Sequence, residues 1–332
     1  MEAAVWLPIA FVLLLGLSIL LYVILDGYDL GVGILLLDAT PEQKDQMIAS
    51  IGPFWDANET WLVLAVGILL VAFPIAHGKI LSALYLPVAI MVIGLILRGV
   101  AFDFRAKVHV QHKHRWDQIF FAGSLMTSLT QGYILGMYIV GFKYGLIEIL
   151  FSITTAICLA AGYAFIGACW LIMKTSDALQ NKAIRWARIG LWLTALGLII
   201  VSIATPLVNK TIFEKWFSLP NFFLLMPIPI ITGVLIAGLA LLLHHLPQPN
   251  DKWSWTPFIG AISVFILGFH GLAYSFYPYI IPEKMTIWAA ASAPESLMII
   301  FIGAIVVLPC IIGYTIFSYR VFWGKVRELR YH

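Results

Sequence analysis

The chain reads Asp26-Gly27-Tyr28-Asp29-Leu30-Gly31-Val32-Gly33 where its first apolar segment ends. After a short polar turn it enters a second apolar segment through Trp55-Asp56-Ala57-Asn58-Glu59-Thr60-Trp61. Four carboxyl groups therefore lie at the edges of two hydrophobic segments. Because an acid at membrane depth costs about 2.5–3.5 kcal/mol on insertion scales, such groups are functional candidates by default. We expect this stretch to handle a proton or to bind a charged group of a partner.

The composition is that of a membrane protein. Of the 332 residues, 61% are hydrophobic and 11% are charged, whereas soluble domains carry about 25% charged residues. The mean hydropathy is +0.95. The net charge of +3 comes from basic residues in short loops, so it relates to topology and gives no reason to expect a nucleic-acid partner. We predict an all-α polytopic membrane protein that forms a single domain over 1–332.

Nine apolar stretches are long enough to span a bilayer, because a spanning helix needs about 20 residues. They cover roughly 6–25 with an extension to 37, 60–76, 80–102, 118–140, 148–173, 187–206, 222–243, 256–280 and 294–320. Spans 1 and 5 run in the same direction, and each contains a Gly-Tyr pair (Gly27-Tyr28 and Gly162-Tyr163). We therefore expect two four-helix bundles, over 1–140 and 148–280, a peripheral ninth helix over 294–320, and a tail over 321–332. The polar motifs all fall in the first bundle.

The orientation follows from the distribution of basic residues, which are in excess on the cytoplasmic side. Only five lie on one side: Lys79, Lys143, Lys210, Lys215 and Lys284. Fourteen lie on the other, in the loops after spans 1, 3, 5 and 7 and in the tail: Lys44, Arg105, Lys107, Lys113, Arg115, Lys174, Lys182, Arg185, Arg188, Lys252, Arg320, Lys325, Arg327 and Arg330. The N-terminus is therefore predicted to face outward. The C-terminus and the acidic turn 38–58 are predicted to face the cytoplasm.

Asp26 and Asp29 are three residues apart and share one face of the first helix, next to small glycines that allow a neighbouring helix to come close. One interpretation is a buried carboxyl pair that accepts protons or binds a basic residue. The alternative is a helix end that is merely solvated at the headgroup level.

Asp56 and Glu59 open the second span, with Asn58 between them and Trp55 and Trp61 on either side. Helix capping explains one of these acids, because a carboxylate is favourable at a helix N-terminus. It does not explain two acids, an amide and two indoles together. We therefore predict that Asp56 is reached by water and loads a proton path.

Arg98 lies inside the third apolar span and cannot be neutralised by losing its proton. It therefore needs a carboxylate partner, most simply Asp29, Asp56 or Asp103. The alternative is that its side chain extends to the nearby cytoplasmic surface.

Membrane cytochromes of the b type need axial His or Met ligands on facing helices. Of the eight histidines only His270 lies well inside a span, where we expect it to hydrogen bond a neighbouring helix. We predict that this chain carries no haem or metal of its own.

Together these motifs resemble subunit II of the cytochrome bd ubiquinol oxidases. The resemblance covers nearly the whole chain and rests on the two acidic motifs above, with Ala57 where the family usually has Gly. It also rests on three further segments: Arg98-Gly99-Val100-Ala101-Phe102-Asp103-Phe104-Arg105, Thr286-Ile287-Trp288-Ala289-Ala290-Ala291-Ser292 and Tyr319-Arg320-Val321-Phe322-Trp323-Gly324-Lys325-Val326. The compact loops are also similar to the cyanide-insensitive branch, which the sequence does not separate from the main branch.

The resemblance implies a complex in the bacterial cytoplasmic (inner) membrane that oxidises a quinol and reduces O2 to water. In that family subunit I carries two b-type haems and one d-type haem, or a b-type in its place. Small single-helix subunits occur, and in some members subunit II binds a structural quinone or lipid. Quinol is oxidised near the outer face, while protons for water formation come from the cytoplasm, so no pump is needed.

By the match of motifs, Asp56 corresponds to the family's cytoplasmic acid for proton uptake, and Trp61 is similar to a tryptophan near the oxygen path. Asp29, Arg98 and Asp103 are expected to be supporting polar groups.

Two alternatives remain open at this stage. A proton-coupled secondary transporter also has buried acids, but usually has broken helices at mid-membrane in both halves. A purely structural subunit would use the same acids as interface salt bridges.

Overall fold

The computed structural model describes residues 2–326, and the side chains of all of these except Glu2 and Val110. The end of the predicted tail, 327–332 with Arg327 and Arg330, lies outside the described residues. The chain is almost entirely helical: α1 (Glu2–Leu35), α2 (Pro41–Ile51), α3 (Trp55–Ala72), α4 (Pro74–Lys107), α5 (Val110–Ile139), α6 (Leu146–Lys174), α7 (Asp177–Val208), α8 (Lys210–Phe217), α9 (Asn221–Leu225), α10 (Pro227–His245), α11 (Thr256–Phe276), α12 (Ile287–Ala290) and α13 (Pro294–Val321). A short antiparallel hairpin, β1 (Tyr279–Ile281) and β2 (Met285–Thr286), precedes α12.

Eight helical segments within residues 2–326 are long and apolar enough to cross a membrane: α1, α3, α4, α6, α7, α9 with α10, α11 and α13. The chain is therefore an all-helical polytopic membrane protein. The predicted fourth span, 118–140, lies in α5, a 30-residue helix that is more polar than the others. The predicted seventh span, 222–243, is divided between α9 and α10 at Met226-Pro227.

The polar turn predicted over 38–58 is wrong, because this segment contains the helix α2. Thr40 and Gln43 form a reciprocal capping box: the Thr40 side chain accepts from the Gln43 backbone N–H, and the Gln43 side chain accepts from the Thr40 N–H. Pro41 starts the helix, and Met47 and Ile51 are buried on its inner face. The helix is short and carries many polar residues, so apolar periodicity alone did not reveal it.

Glycines allow two pairs of helices in the bundle to pack backbone against backbone. A Cβ on Gly167 of α6 would lie 2.5 Å from the carbonyl carbon of Gly31, and one on Gly31 would overlap the carbonyl oxygen of Tyr163. A Cβ on Gly123 of α5 would lie 2.7 Å from the carbonyl oxygen of Gly94 on α4. The backbones of α1 and α6, and of α4 and α5, are therefore in direct contact, as small residues permit in membrane proteins. These crossings bring the acidic end of α1 against Arg98 on α4.

Replacing Gly31 or Gly167 with Ala should lower the stability of the purified protein by about 3 kcal/mol. Each new methyl group would meet backbone atoms, which cannot rotate away. Gly238→Ala on α10 is the matched control, since a Cβ there has nothing within 4 Å. The measurement is the thermal unfolding midpoint by fluorescence-detected size exclusion. Equal midpoints for the Gly167 and Gly238 variants would contradict the packing described.

Candidate functional site

Asp26 and Asp29 lie inside α1, which continues without a break to Leu35, nearly three turns past the first apolar run. Both side chains are fully buried, with an exposed fraction of 0%. Solvation at the headgroup level is therefore excluded for this pair.

The guanidinium of Arg98 joins three helices. Its Nη1 lies 2.6 Å from Asp26 Oδ1 of α1, and its Nη2 lies 2.8 Å from Glu59 Oε2 of α3. Arg98 is 1% exposed, so it does not extend to the surface. The side chain of Glu59 is 28% exposed, which makes it the member of this cluster closest to water.

The partners expected for Arg98 from the sequence, namely Asp29, Asp56 and Asp103, are therefore wrong. Asp29 lies about 60° around α1 from its neighbour Asp26 and turns toward α3. Asp56 is exposed at the first turn of α3. Asp103 is five residues beyond Arg98, which places it about 140° around α4 on the exposed side.

Asp29 belongs to a second polar group centred on Asn58. The Asn58 amide donates to Asp29 Oδ2 at 2.8 Å and to the Tyr28 hydroxyl at 2.9 Å. Tyr319, near the end of α13, donates to Asn58 Oδ1 at 3.2 Å, and its hydroxyl lies 2.6 Å from that of Tyr28. Asp29 Oδ1 is buried and has no hydrogen-bond partner within residues 2–326. This group ties the last long helix to the acidic end of α1.

Aromatic rings seal the Asn58 group from the rest of the core. Trp170 of α6 stacks on Tyr28 with ring centroids 4.2 Å apart, and Phe54 stacks on Tyr319 at 4.4 Å. The hydroxyl of Tyr319 therefore points into the polar network.

A third polar chain starts one turn before Asp26 on α1. The Tyr22 hydroxyl accepts from the Gln131 amide of α5, and the Tyr163 hydroxyl of α6 donates to Gln131 Oε1 at 2.8 Å. Tyr22 lies close enough to Asp26 to interact with its charge. The sequence did not predict these hydrogen bonds. Their only signal in the sequence was Gln131, a polar residue inside α5, which is the most polar of the long helices.

The two tryptophans of the acidic motif differ in burial. Trp61 is 3% exposed, whereas Trp55 is half-buried and packs on Phe102 with ring centroids 4.8 Å apart.

A separate ion network fixes α2 to the connection between α4 and α5. Arg105 Nε lies 2.5 Å from Asp117 Oδ1, and Lys44 Nζ lies 3.4 Å from Asp117 Oδ2. Arg105 also reaches Asp45, which binds Lys113. Arg105, Asp117 and Lys44 are buried, so these two basic residues contribute to packing as well as to topology.

His270 is exposed, and its Nδ1 lies 2.8 Å from the carbonyl oxygen of Ile266, one turn earlier in α11. The prediction that His270 forms a hydrogen bond with a neighbouring helix is therefore wrong. Among the residues that the structure describes, no group of three or more His, Cys, Asp or Glu side chains could hold a metal ion.

The sequence and fold of the chain resemble those of known proteins. The sequence profile described as cytochrome bd terminal oxidase subunit II matches residues 7–322. This chain belongs to that family. It is 26% identical over 361 residues to the cytochrome bd-I ubiquinol oxidase subunit 2 of Escherichia coli strain K12, with 95% of this chain and 94% of that protein covered.

Other relatives agree. The chain is 29% identical over 345 residues to the cytochrome bd ubiquinol oxidase subunit 2 of Bacillus subtilis strain 168, with 97% of this chain and 96% of that protein covered. A chain in the structure of the bd oxidase from Geobacillus thermodenitrificans aligns with a TM-score of 0.76 at 17% identity, over 95% of this chain and 98% of that one. At this identity the likeness shows a shared fold.

As a bd oxidase subunit II, the chain is part of a quinol oxidase, an oxidoreductase of the respiratory chain that contains haems. Its partner is subunit I, and the substrates of the complex are quinol and O2. It is a multi-pass protein of the bacterial inner membrane. The transporter alternative has no support.

Arg98→Gln should destabilise the bd oxidase by up to about 3–5 kcal/mol, because Asp26 is left buried without a cation. Adding Asp26→Asn should restore part of the loss, since the two residues are in contact. The exposed Arg185→Gln serves as the control. Thermal unfolding of the unmodified protein, Arg98→Gln, Asp26→Asn and the double variant measures the coupling, and strictly additive effects would rule out the ion pair.

Tyr319→Phe should lower stability by about 1 kcal/mol for each hydrogen bond lost, because the Asn58 oxygen and the Tyr28 hydroxyl lose their partner. Tyr314→Phe changes a 67% exposed side chain on the same helix and should have little effect. Unfolding midpoints of the two variants make the comparison. The assignment fails if they are equal.

Proposed function

We propose that subunit II supports the haem-bearing subunit I and provides a path by which protons enter from the cytoplasm for the reduction of O2 to water. The observation that carries this proposal is a sequence of acids of increasing burial. Asp56 is exposed, Glu59 is 28% exposed, and Asp26 is fully buried. Arg98 contacts both Glu59 and Asp26. Acidic groups therefore lead from water into the membrane interior.

Proton uptake begins at Asp56. This residue lies in the first turn of α3, and its side chain is exposed to water. Glu59 follows three residues later on the same helix face, where side chains are neighbours. A proton taken up by Asp56 can therefore pass to Glu59, directly or through one water.

Arg98 connects Glu59 to Asp26, because its guanidinium contacts both carboxylates. Asp26 and Glu59 contact this single cation, and Asp29 lies close by in the Asn58 group, so full ionisation of the three acids would leave two excess negative charges in a medium of low dielectric. The cluster therefore retains a proton that it can pass on.

The remaining polar groups hold this cluster in place. Asn58 fixes the orientation of Asp29 through a bond of 2.8 Å. Asp103 is exposed on α4 and adds negative charge at the cytoplasmic mouth. We assign Trp61 to the wall of the oxygen path and Trp55 to the interface with subunit I, on the same helix as the acids.

The direction in which protons are released and taken up follows from the topology of the chain in the membrane. We place the N-terminus outside, the C-terminus in the cytoplasm, and nine spans in two four-helix bundles with α13 at the periphery. Oxidation of two quinols near the outer face releases four protons there and supplies four electrons to O2. Four protons from the cytoplasm complete two water molecules, so a gradient forms without a pump.

The haems are assigned to subunit I as two b-type and one d-type, or a b-type in place of the last. The distribution of histidines supports this, because only one lies well inside a span of this chain. α13 buries only Leu297 completely among its described residues. Its apolar side chains are therefore available to subunit I, to small single-helix subunits, and to a structural quinone or lipid.

Asp56→Asn should slow quinol-driven O2 uptake on the order of tenfold per haem, because the first proton acceptor is lost. The loss of activity in Asp56→Asn should grow as the pH rises, because proton uptake then depends on a lower concentration of hydronium ions. Glu42→Gln is the matched control: an exposed acid in α2, on the same side of the membrane. Oxygen consumption is normalised by the reduced-minus-oxidised haem spectrum.

A structural role for Asp56 gives a different result. In that case Asp56→Asn lowers the amount of haem that copurifies with the subunit, while turnover per haem stays the same at every pH. This outcome would overturn the proton path.

A further inference from the structure

The opposite end of the bundle contains a cavity that the proton path does not use. It has a volume of about 550 Å³ and lies between the start of α4, the end of α5 and the β1–β2 hairpin. Lys79, Ser82, Phe142, Ile281 and Lys284 line it. Pockets that hold small molecules are usually of about 300–1,000 Å³, so this one is large enough for a ligand.

The cavity lies at the level of lipid headgroups. Lys79 precedes Arg98 by nineteen residues on α4, which corresponds to at most about 28 Å, because the helix is kinked at Leu84. This distance is close to the thickness of the hydrocarbon core, about 30 Å. Since Arg98 belongs to the cluster near one membrane surface, Lys79 lies at the other surface. The conclusion holds for either orientation of the chain.

The cavity carries two uncompensated positive charges. Lys79 and Lys284 are both exposed, and within residues 2–326 neither forms an ion pair. Glu283, the neighbour of Lys284, is engaged elsewhere: its two carboxylate oxygens lie 3.1 Å from Lys143 Nζ and 3.1 Å from Thr211 Oγ1. Partial burial opposes ionisation of Glu283, but these bonds outweigh it and lower its pKa.

Phe142 helps to hold one of the two cations at the cavity. The Lys284 ammonium lies 5.8 Å from the centre of the Phe142 ring, within the range of a cation–π contact. Lys284 also follows a tight turn of the hairpin, in which its N–H donates to the Ile281 carbonyl at 3.0 Å. Its position is therefore fixed by the fold, although its charge is unpaired.

An apolar strip continues from the cavity along the outside of α4. Tyr85 and Leu86, one turn after Ser82, are 71% and 56% exposed. Tyr144, which is 63% exposed, donates a hydrogen bond from its hydroxyl to the carbonyl of Ala83 at the edge of the cavity. A ligand that fits both parts needs an anionic head and an apolar tail.

We propose that this cavity binds the phosphate group of an anionic membrane lipid between Lys79 and Lys284, with the Ser82 hydroxyl as an additional donor. The acyl chains then lie along Tyr85 and Leu86. Basic pockets between membrane helices bind anionic headgroups by the same chemistry. A free phosphate ion satisfies the lysines but makes no use of the apolar strip, which is why the lipid is the better fit. The site is independent of the proton path.

The test uses the complete oxidase in detergent and native mass spectrometry with added phosphatidylglycerol or phosphatidylcholine. The double variant Lys79→Gln/Lys284→Gln should bind phosphatidylglycerol roughly thirtyfold more weakly than the unmodified complex, since two charge contacts of about 1 kcal/mol each are lost. Lys210→Gln is the control, because this lysine is exposed at the same end and pairs only with Glu214. Phosphatidylcholine binding should change much less.

Three results overturn the proposal. The first is equal retention of phosphatidylglycerol by the double variant and the Lys210 control. The second is displacement of bound lipid by millimolar inorganic phosphate, which assigns the lysines to a free anion. The third is loss of subunit I from Lys79→Glu/Lys284→Glu together with no lipid on the unmodified complex, which assigns the cavity to an acidic segment of the partner. Slower turnover of Asp56→Asn is unaffected by any of them.

Discussion

The buried charge of Arg98 is the constraint on which the rest of this subunit depends. A guanidinium cannot lose its proton, so a position inside the membrane is possible only when carboxylates surround it. Asp26 at 2.6 Å and Glu59 at 2.8 Å meet this need from two other helices. The ion contacts therefore fix the relative positions of α1, α3 and α4, and they place three acids in one low-dielectric cluster.

Close backbone packing makes this geometry possible. Gly31 and Gly167 let α1 touch α6, and Gly94 and Gly123 let α4 touch α5. Water is excluded at these contacts, which strengthens every charge interaction nearby. The Tyr22–Gln131–Tyr163 chain and the Asn58 group satisfy further polar atoms around the cluster. Packing and polar bonding thus support each other at the same level of the membrane.

The two ends of α4 have opposite character. One end holds Arg98 among acids, where protons are taken up in the proposed mechanism, and the other end carries Lys79 beside a cavity open to an anionic group. α4, which has 34 residues and a kink at Leu84, therefore links the acidic cluster to the opposite end of the bundle.

The sequence by itself determined the membrane class, the approximate positions of the long helices, the four acids of the candidate site and the family. These follow from apolar length and from motifs that are contiguous in the chain. The starts of α5 and α7 lie eight and ten residues before the predicted ones. Only the tertiary structure decided that Arg98 pairs with Asp26 and Glu59, that Tyr319 reaches Asn58, and that α2 is helical. The physical reason is that lipid-facing and core-facing sides of a membrane helix are equally apolar, so the pattern gives the length of a helix but not the direction it faces. Contacts between helices depend on that direction.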